Sequence, residues 1–192
     1  MHLKTVKYKK QLILQLLKSK NKYTLQQPMK TQHLDFLIRS WETRDRAEAF
    51  YLIRDVLAEY GLKCEPHGAD RDVYDVELHY HNQGGEFWVV ERQGKIVGTA
   101  AYYPIERGNN AVEIRKMYIL PAARGQGLGK FLLQELESKI IARGFEEIWI
   151  ETASILKEAV KMYENSGYLP TTGVETPRCD RVYVKSLGIK KL

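Results

Sequence analysis

The sequence has no long apolar run and very little cysteine. No uninterrupted apolar stretch approaches the about 20 residues that a helix needs to cross a bilayer, so we expect a soluble protein without a membrane partner. The two cysteines, Cys64 and Cys179, lie far apart and belong to no CxxC or Cys/His spacing. This excludes a disulfide framework and a zinc site, and we expect no bound metal. It also favours a reducing compartment, the cytoplasm.

Acidic residues are absent from the first 30 positions. That segment holds eight lysines, and the other 162 residues carry 22 Lys and Arg against 24 Asp and Glu. The formal net charge of +6 therefore belongs to a basic N-terminal extension, residues 1–30, and the domain of residues 31–192 is nearly neutral. A nucleic-acid-binding function would rest on this extension alone, and we expect no nucleic-acid partner.

Two interpretations of the extension stay open. Its apolar residues 12–17 are flanked by lysines, which is typical of a short basic amphipathic helix. The alternative is an arm appended to a domain that begins near Thr31, upstream of an internal start at Met29. A signal or transit peptide is not favoured, because the apolar core is short and the segment has no arginine and one serine.

The rest of the chain alternates between strand and helix patterns. Its 192 residues, 44% hydrophobic and 28% charged, have the balance of one globular domain. Hydrophobic periodicity and turn residues predict seven strands, at 34–41, 86–92, 95–103, 111–120, 146–151, 168–174 and 178–187. They also predict four helices, one capped by Thr43 with Ala47 on its apolar face, one from Asp70 or Asp72 to Tyr80, and two at 127–143 and 156–166. This order predicts an α/β domain with a mixed sheet and helices on its faces.

A glycine-rich turn joins a strand to a helix at residues 118–130. Alternate glycines let a ligand approach the backbone N–H groups, and the following helix adds unsatisfied amides and the positive end of its dipole. The segment therefore predicts an anion site. A P-loop would need glycine where Arg124 stands and a hydroxyl in place of Phe131, and a dinucleotide fingerprint would need glycine at Lys130 or Leu132.

Residues 124–129 do fit R-x-x-G-x-G, which resembles the acyl-CoA-binding motif of the GNAT N-acetyltransferases. Residues 159–168 are similar to a second segment of that family, and the resemblance covers residues 34–187. It implies the GNAT fold, a central mixed, mostly antiparallel sheet flanked by helices, with acetyl-CoA as co-substrate. One departure is Leu156, where many members have an asparagine. The residues implied to hold the coenzyme pyrophosphate are Arg124, Gly125, Gln126, Gly127, Leu128, Gly129 and Lys130.

The strand before this turn changes its hydrophobic phase. Val112 and Ile114 share one parity, whereas Met117 and Ile119 share the other, and a one-residue bulge near 115–116 explains the switch. In the family that the chain resembles, such a bulge splays two strands and admits the pantetheine arm. The resemblance implies that Met117 and Ile119 pair with this arm and that the backbone N–H of Tyr118 faces the thioester carbonyl.

Two side chains are candidates for proton transfer. Glu113 has the spacing of the catalytic base in the histone-acetyltransferase branch of GNAT, although an ion pair with Arg115 explains it equally well. Tyr163 matches the tyrosine that protonates the leaving thiolate in many GNAT enzymes and that also contacts the coenzyme. The alternative is a tyrosine packed against Val160. A covalent acetyl intermediate on Cys179 is not favoured, because no histidine is placed to activate the thiol.

The resemblance implies an N-acetyltransferase that transfers acetyl directly from acetyl-CoA to an amine. The acceptor could be a small amine, an amino acid or a protein amine, and the sequence does not decide among them. A non-catalytic module that binds acetyl-CoA through the same loop is the alternative, and a homodimer stays open.

Overall fold

The structure, a computed structural model, describes residues 28–188. The amphipathic helix considered for residues 12–17 lies outside the described residues. Within them, eight strands and four α-helices follow one another along the chain. The strands are β1 (Lys30–His33), β2 (Phe36–Ser40), β3 (Glu86–Arg92), β4 (Lys95–Ile105), β5 (Ala111–Ile119), β6 (Glu147–Thr152), β7 (Leu169–Thr171) and β8 (Arg181–Ser186). The helices are α1 (Arg46–Glu59), α2 (Val76–His79), α3 (Leu128–Ala142) and α4 (Lys157–Asn165).

The strands of residues 28–188 form one sheet in the order β1-β2-β3-β4-β5-β6-β8-β7. Neighbouring strands are antiparallel except β5 and β6, which run parallel because α3 crosses over between them. The prediction of a mixed, mostly antiparallel sheet flanked by helices is confirmed.

Two hydrophobic cores cover the two faces of the sheet. Side chains alternate along β3, so that Trp88 and Val90 join the core with α3, whereas Phe87 and Val89 join the core with α1 and α2. We call these the α3/α4 face and the α1/α2 face. The division matters for function, because groups on opposite faces meet only where the sheet opens.

The N-terminal part of the domain differs from the sequence prediction. The strand expected at 34–41 is the hairpin of β1 and β2, in which Leu34, with φ +53°, turns the chain. β1 is polar and has no hydrophobic alternation, so its strand could not be predicted from the sequence pattern.

Two predicted helix starts are also wrong. A 3-10 turn, Thr43–Asp45, precedes α1, and Glu42 and Asp45 cap it reciprocally in place of Thr43, while Ala47 is exposed. The cap of α2 is Asp75, whose side chain accepts from the N–H of Leu78. Asp70 and Asp72 are instead buried in an ion-pair network.

The predicted bulge in β5 is present. Thr99 lies opposite Tyr118 and Ala101 lies opposite Arg115, so β5 has one residue more than β4 across this interval. The bulge lies at Lys116, whose backbone is left-handed with φ +52°. Pairing of β5 with β6 stops at Ile114, while β6 continues along β8. A gap therefore opens between β5 and β6 beyond Ile114.

The described domain begins with backbone pairing at Met29. Ser40 donates its N–H to the Met29 carbonyl over 2.9 Å, and the Met29 N–H donates to Ser40 Oγ over 2.8 Å. We predict that a chain truncated to begin at Met29 keeps its melting temperature and coenzyme binding, because these contacts remain. A chain beginning at Asp35 lacks β1 and should melt several degrees lower. Loss of soluble protein in the first truncation would show that residues 1–28 pack on the domain.

Candidate active site

The glycine loop follows the end of β5 and leads into α3. Gly125 and Gly127 both have φ +75°, a left-handed backbone that residues with a Cβ adopt at a cost. Gly127 is the N-cap of α3 and provides no side chain to its first turn. The amides of that turn therefore stay available for an anionic ligand.

Arg124 stabilises the loop from behind. Its Nε donates to the Ile119 carbonyl over 2.8 Å, and its Nη1 donates to Glu59 over 2.8 Å. The guanidinium thus ties the loop to the end of β5 and to the end of α1. Lys130, exposed in the first turn of α3, has no ion pair among the described residues and supplies a free positive charge to the groove.

His33 is a loop contact that the sequence analysis missed. Its Nε2 lies 2.9 Å from the Gln126 carbonyl, and its ring stacks on Phe131 at 4.6 Å between centroids. The β1–β2 hairpin therefore contacts the glycine loop, although 93 residues separate His33 from Gln126 in the sequence. No motif or periodicity marked this histidine, because its partners, Gln126 and Phe131, lie far away in the sequence.

A groove of about 400 Å³ runs from the glycine loop towards the gap between β5 and β6. It continues into a chamber of about 60 Å³ at the gap itself. The two cavities share the residues Met117, Tyr118, Leu156, Ala159 and Tyr163. A long, thin ligand can therefore lie with its anionic end on the loop and its other end in the chamber.

Tyr163 lies at the junction of groove and chamber. Its side chain belongs to the core of the α3/α4 face and is 5% exposed. Burial raises the pKa of this phenol, with a smaller contribution from Tyr118. The hydroxyl therefore keeps its proton and can act as a hydrogen-bond donor to a ligand in the chamber.

The direction of backbone amides along β5 follows from its register. Leu120 donates its N–H to the Val97 carbonyl over 2.9 Å, and Tyr118 lies opposite Thr99 two residues earlier. Because hydrogen-bonding directions alternate along a strand, the N–H of Tyr118 points towards β4, and those of Met117 and Ile119 point into the gap. Burial raises the pKa of the Tyr118 phenol to about 12.

Glu113 reaches the chamber from the α1/α2 face. Tyr103 donates its hydroxyl to Glu113 over 3.0 Å, and Arg115 Nε lies 3.8 Å from the other carboxylate oxygen. Burial raises the pKa of Glu113 against the opposing charge of Arg115. The carboxylate is thus held with one loosely bound oxygen and a raised affinity for a proton.

A buried ion-pair network lies beside the bulge. Lys116 Nζ is 2.6 Å from Asp70 and 3.1 Å from Asp72, and Arg178 binds both oxygens of Asp70 at 2.6 and 2.7 Å. Burial alone would raise the pKa of Asp70, but hydrogen bonds from Arg178 and the charge of Lys116 hold it well below its usual range. The network joins β5 to the two loops that cover the chamber.

Cys179 also lines the chamber. Burial raises the pKa of its thiol to about 11, although Arg178 opposes this shift. A protonated thiol is a poor nucleophile, which agrees with the expectation that no covalent intermediate forms there.

Comparison with known proteins gives the family. Residues 50–168 match the family model of the Acetyltransferase (GNAT) family. The chain belongs to this family. The predicted fold and the prediction of an acetyl-CoA-dependent N-acetyltransferase are thereby confirmed, whereas the roles of individual residues stay predictions.

Individual relatives are similar to this chain over most of the domain. The uncharacterized N-acetyltransferase YjgM of Escherichia coli K12 is 34% identical over 135 residues, which is 69% of this chain and 81% of that protein. An acetyltransferase from Streptococcus agalactiae 2603 superposes with a TM-score of 0.73 at 25% identity, covering 81% of this chain and 100% of that one.

A third comparison shows the fold alone. The structure of yncA from Salmonella typhimurium, solved with its cofactor acetyl-CoA, has a TM-score of 0.64 at 18% identity and covers 82% of this chain and 97% of its own. The chain spans about half the length of several vertebrate relatives, for example 52% of one frog protein.

Residues 28–188 contain no helix that is long and apolar enough to span a membrane. That part of the chain also has no cluster of three or more His, Cys, Asp and Glu residues that could hold a metal ion.

A charge placed at the glycine loop tests the coenzyme site. We predict that Gly127→Asp abolishes the rise in melting temperature caused by acetyl-CoA, because the carboxylate repels the pyrophosphate. Gly144→Asp is the matched control, since Gly144 also has positive φ, at +80°, and lies beyond the other end of α3. Each variant should lose about 1 kcal/mol from backbone strain, measured by thermal unfolding. An undiminished acetyl-CoA shift in Gly127→Asp would remove the loop from the site.

Proposed function

We propose that the enzyme transfers acetyl directly from acetyl-CoA to an acceptor amine while both are bound. The observation that carries this proposal is the gap between β5 and β6, which the bulge at Lys116 opens at the end of the coenzyme groove. The chamber in this gap is lined from one face by Tyr163 and from the other by Glu113. A thioester entering from one face can there meet an amine entering from the other.

The coenzyme is held by backbone more than by side chains. The amides of residues 125–130 bind the pyrophosphate with the charge of Lys130, and Arg124 positions the loop. The pantetheine arm lies along β5, where the outward N–H group of Ile119 is its partner. Leu156, which lines both cavities, gives this arm an apolar contact in place of a polar one.

The chemical step requires a neutral amine, and only about 0.04% of an alkyl amine is neutral at pH 7. Glu113 accepts the proton as the nitrogen attacks the thioester carbon, so that a C–N bond forms and the C–S bond breaks. Register favours the Met117 N–H over that of Tyr118 as the donor to the carbonyl oxygen. Tyr163 donates a hydrogen bond to the departing sulfur, where negative charge develops.

The location and assembly of the enzyme also belong to this proposal. The free thiols of Cys64 and Cys179 support a reducing compartment, the cytoplasm. Acetyl-CoA and one amine acceptor are sufficient partners for the reaction, and a homodimer is compatible with it.

Substitution of Tyr163 tests the leaving-group role. Tyr163→Phe should lower kcat about 10²-fold at saturating acetyl-CoA, because the hydrogen bond to sulfur is lost in the transition state. The affinity for acetyl-CoA should change little. Tyr183→Phe is the control, since Tyr183 is 1% exposed in the same core and its hydroxyl bonds Glu164 outside the groove. The release of free coenzyme A thiol measures the turnover of both variants. Full turnover by Tyr163→Phe would exclude Tyr163 from the mechanism.

Substitution of Glu113 separates its two interpretations through pH. If Glu113 is the base, Glu113→Gln should reduce the rate of acetyl transfer most at low pH. The rate of the variant should recover as pH rises, because a larger fraction of the acceptor amine is then neutral without a base. In the unsubstituted enzyme the rate should fall as pH drops through the raised pKa of Glu113, since the protonated carboxyl accepts nothing. A loss that is equal at every pH would mean that Glu113 only pairs with Arg115.

A further inference from the structure

A third cavity, of about 250 Å³, lies beside the chamber on the α1/α2 face. Its wall includes Arg71, His79, Gln83, Tyr103 and Arg115, and it shares no residue with the coenzyme groove. Arg115 lines both this cavity and the chamber. A molecule that reaches Glu113 from this side would therefore pass the Arg115 guanidinium.

The cations around the chamber differ in whether they are hydrogen-bonded to a carboxylate. Arg178, Lys116 and Arg107 each lie within 3.0 Å of a carboxylate oxygen. The nearest carboxylate oxygens to Arg115, on Asp72 and Glu113, are both 3.8 Å away, too far for a hydrogen bond.

The guanidinium groups of Arg115 and Arg71 therefore have N–H donors that no described residue uses. Among residues 28–188, the Arg115 guanidinium makes one hydrogen bond, from Nη1 to the Tyr103 hydroxyl over 3.2 Å. Arg71 is exposed at the mouth of the cavity, and its side chain has no ion pair or hydrogen bond among residues 28–188. Asp72 also lines the cavity, but its Oδ1 forms an ion pair with the Lys116 ammonium at 3.1 Å. Its Oδ2 accepts a hydrogen bond from the Tyr80 hydroxyl at 2.6 Å.

A guanidinium binds a carboxylate through two parallel hydrogen bonds, which gives it a strong preference for that group. Arg115 and Glu113 face the chamber together without a hydrogen bond between them. The ligand complementary to such a pair has an amine for Glu113 and a carboxylate for Arg115 in one small molecule.

We propose that the acceptor is an amine that carries a carboxylate close by, of the amino-acid class, with Arg115 binding the carboxylate and Arg71 attracting it at the cavity mouth. The proposal rests on the proposed function and names its acceptor class. It excludes lysine side chains within proteins, which have no carboxylate near the amine.

The test compares free amino acids with their C-terminal amides as acceptors, by thiol release at saturating acetyl-CoA. The two members of each pair differ in the carboxylate. The amine of the amide is less basic, so more of it is neutral at a given pH, and without a binding preference the amide should react faster. We expect kcat/KM about 10²-fold higher for the acids, because the amide leaves a guanidinium unpaired. Equal or better use of the amides, or of amines without a carboxylate, would overturn the proposal and leave acetyl transfer standing.

Variants assign the preference to the two arginines. Arg71→Gln, at an exposed position that should not affect folding, should raise KM for the acids about 10-fold and leave KM for the amides unchanged. Arg115→Lys should reduce the preference for acids more strongly. Arg54→Gln is the control, since Arg54 is exposed on α1, where it pairs with Asp55 and lies over the Tyr51 ring. Equal effects on acids and amides would overturn the assignment, and bound acetyl-CoA without thiol release from any amine would overturn acetyl transfer itself.

Discussion

The active site depends on one extra residue in a central strand. Lys116 has a left-handed backbone, φ +52°, which costs an L-residue about 1 kcal/mol or more. Thr99 donates its hydroxyl to the Lys116 carbonyl over 2.7 Å, and the Lys116 ammonium is bound by Asp70 and the Ala69 carbonyl. These contacts hold the bulge in place. Without it β5 would stay paired with β6, the gap would close, and the Met117 amide would point elsewhere.

The ion-pair network makes the bulge and the covering loops one unit. Asp70 lies in the loop after α1, and Arg178 lies in the loop before β8, so the cluster ties three distant segments together. Buried ion pairs add little net stability, but losing one partner costs about 3–5 kcal/mol because a charge remains uncompensated. Such a cluster therefore favours a single arrangement of the chamber walls over many similar ones.

Whether a feature could be predicted from the sequence depends largely on how far apart in the chain its interacting residues lie. The glycine loop and the bulge were predictable because spacing and hydrophobic phase are local, as were the β3–β4 hairpin and the ends of α3. The hairpin of β1 and β2 was not, because polar β1 has no hydrophobic alternation. The His33 contact and the binding of Lys116 by Asp70 and Asp72 depend on partners far away in the chain. An aspartate before a helix has the same local pattern whether it caps that helix or binds a buried lysine.

The division of the sheet into two faces separates proton removal from the amine and stabilisation of the departing sulfur in the proposed reaction. Tyr163 belongs to the core of the α3/α4 face, whereas Glu113 bonds Tyr103 on the α1/α2 face. Because the backbone of β5 lies between them, the proton that Glu113 removes from the amine is not the one that Tyr163 directs to sulfur. The gap brings only the reacting atoms together. The environment of each group can then be set independently, with burial raising the pKa of the carboxyl on one side and that of the phenol on the other.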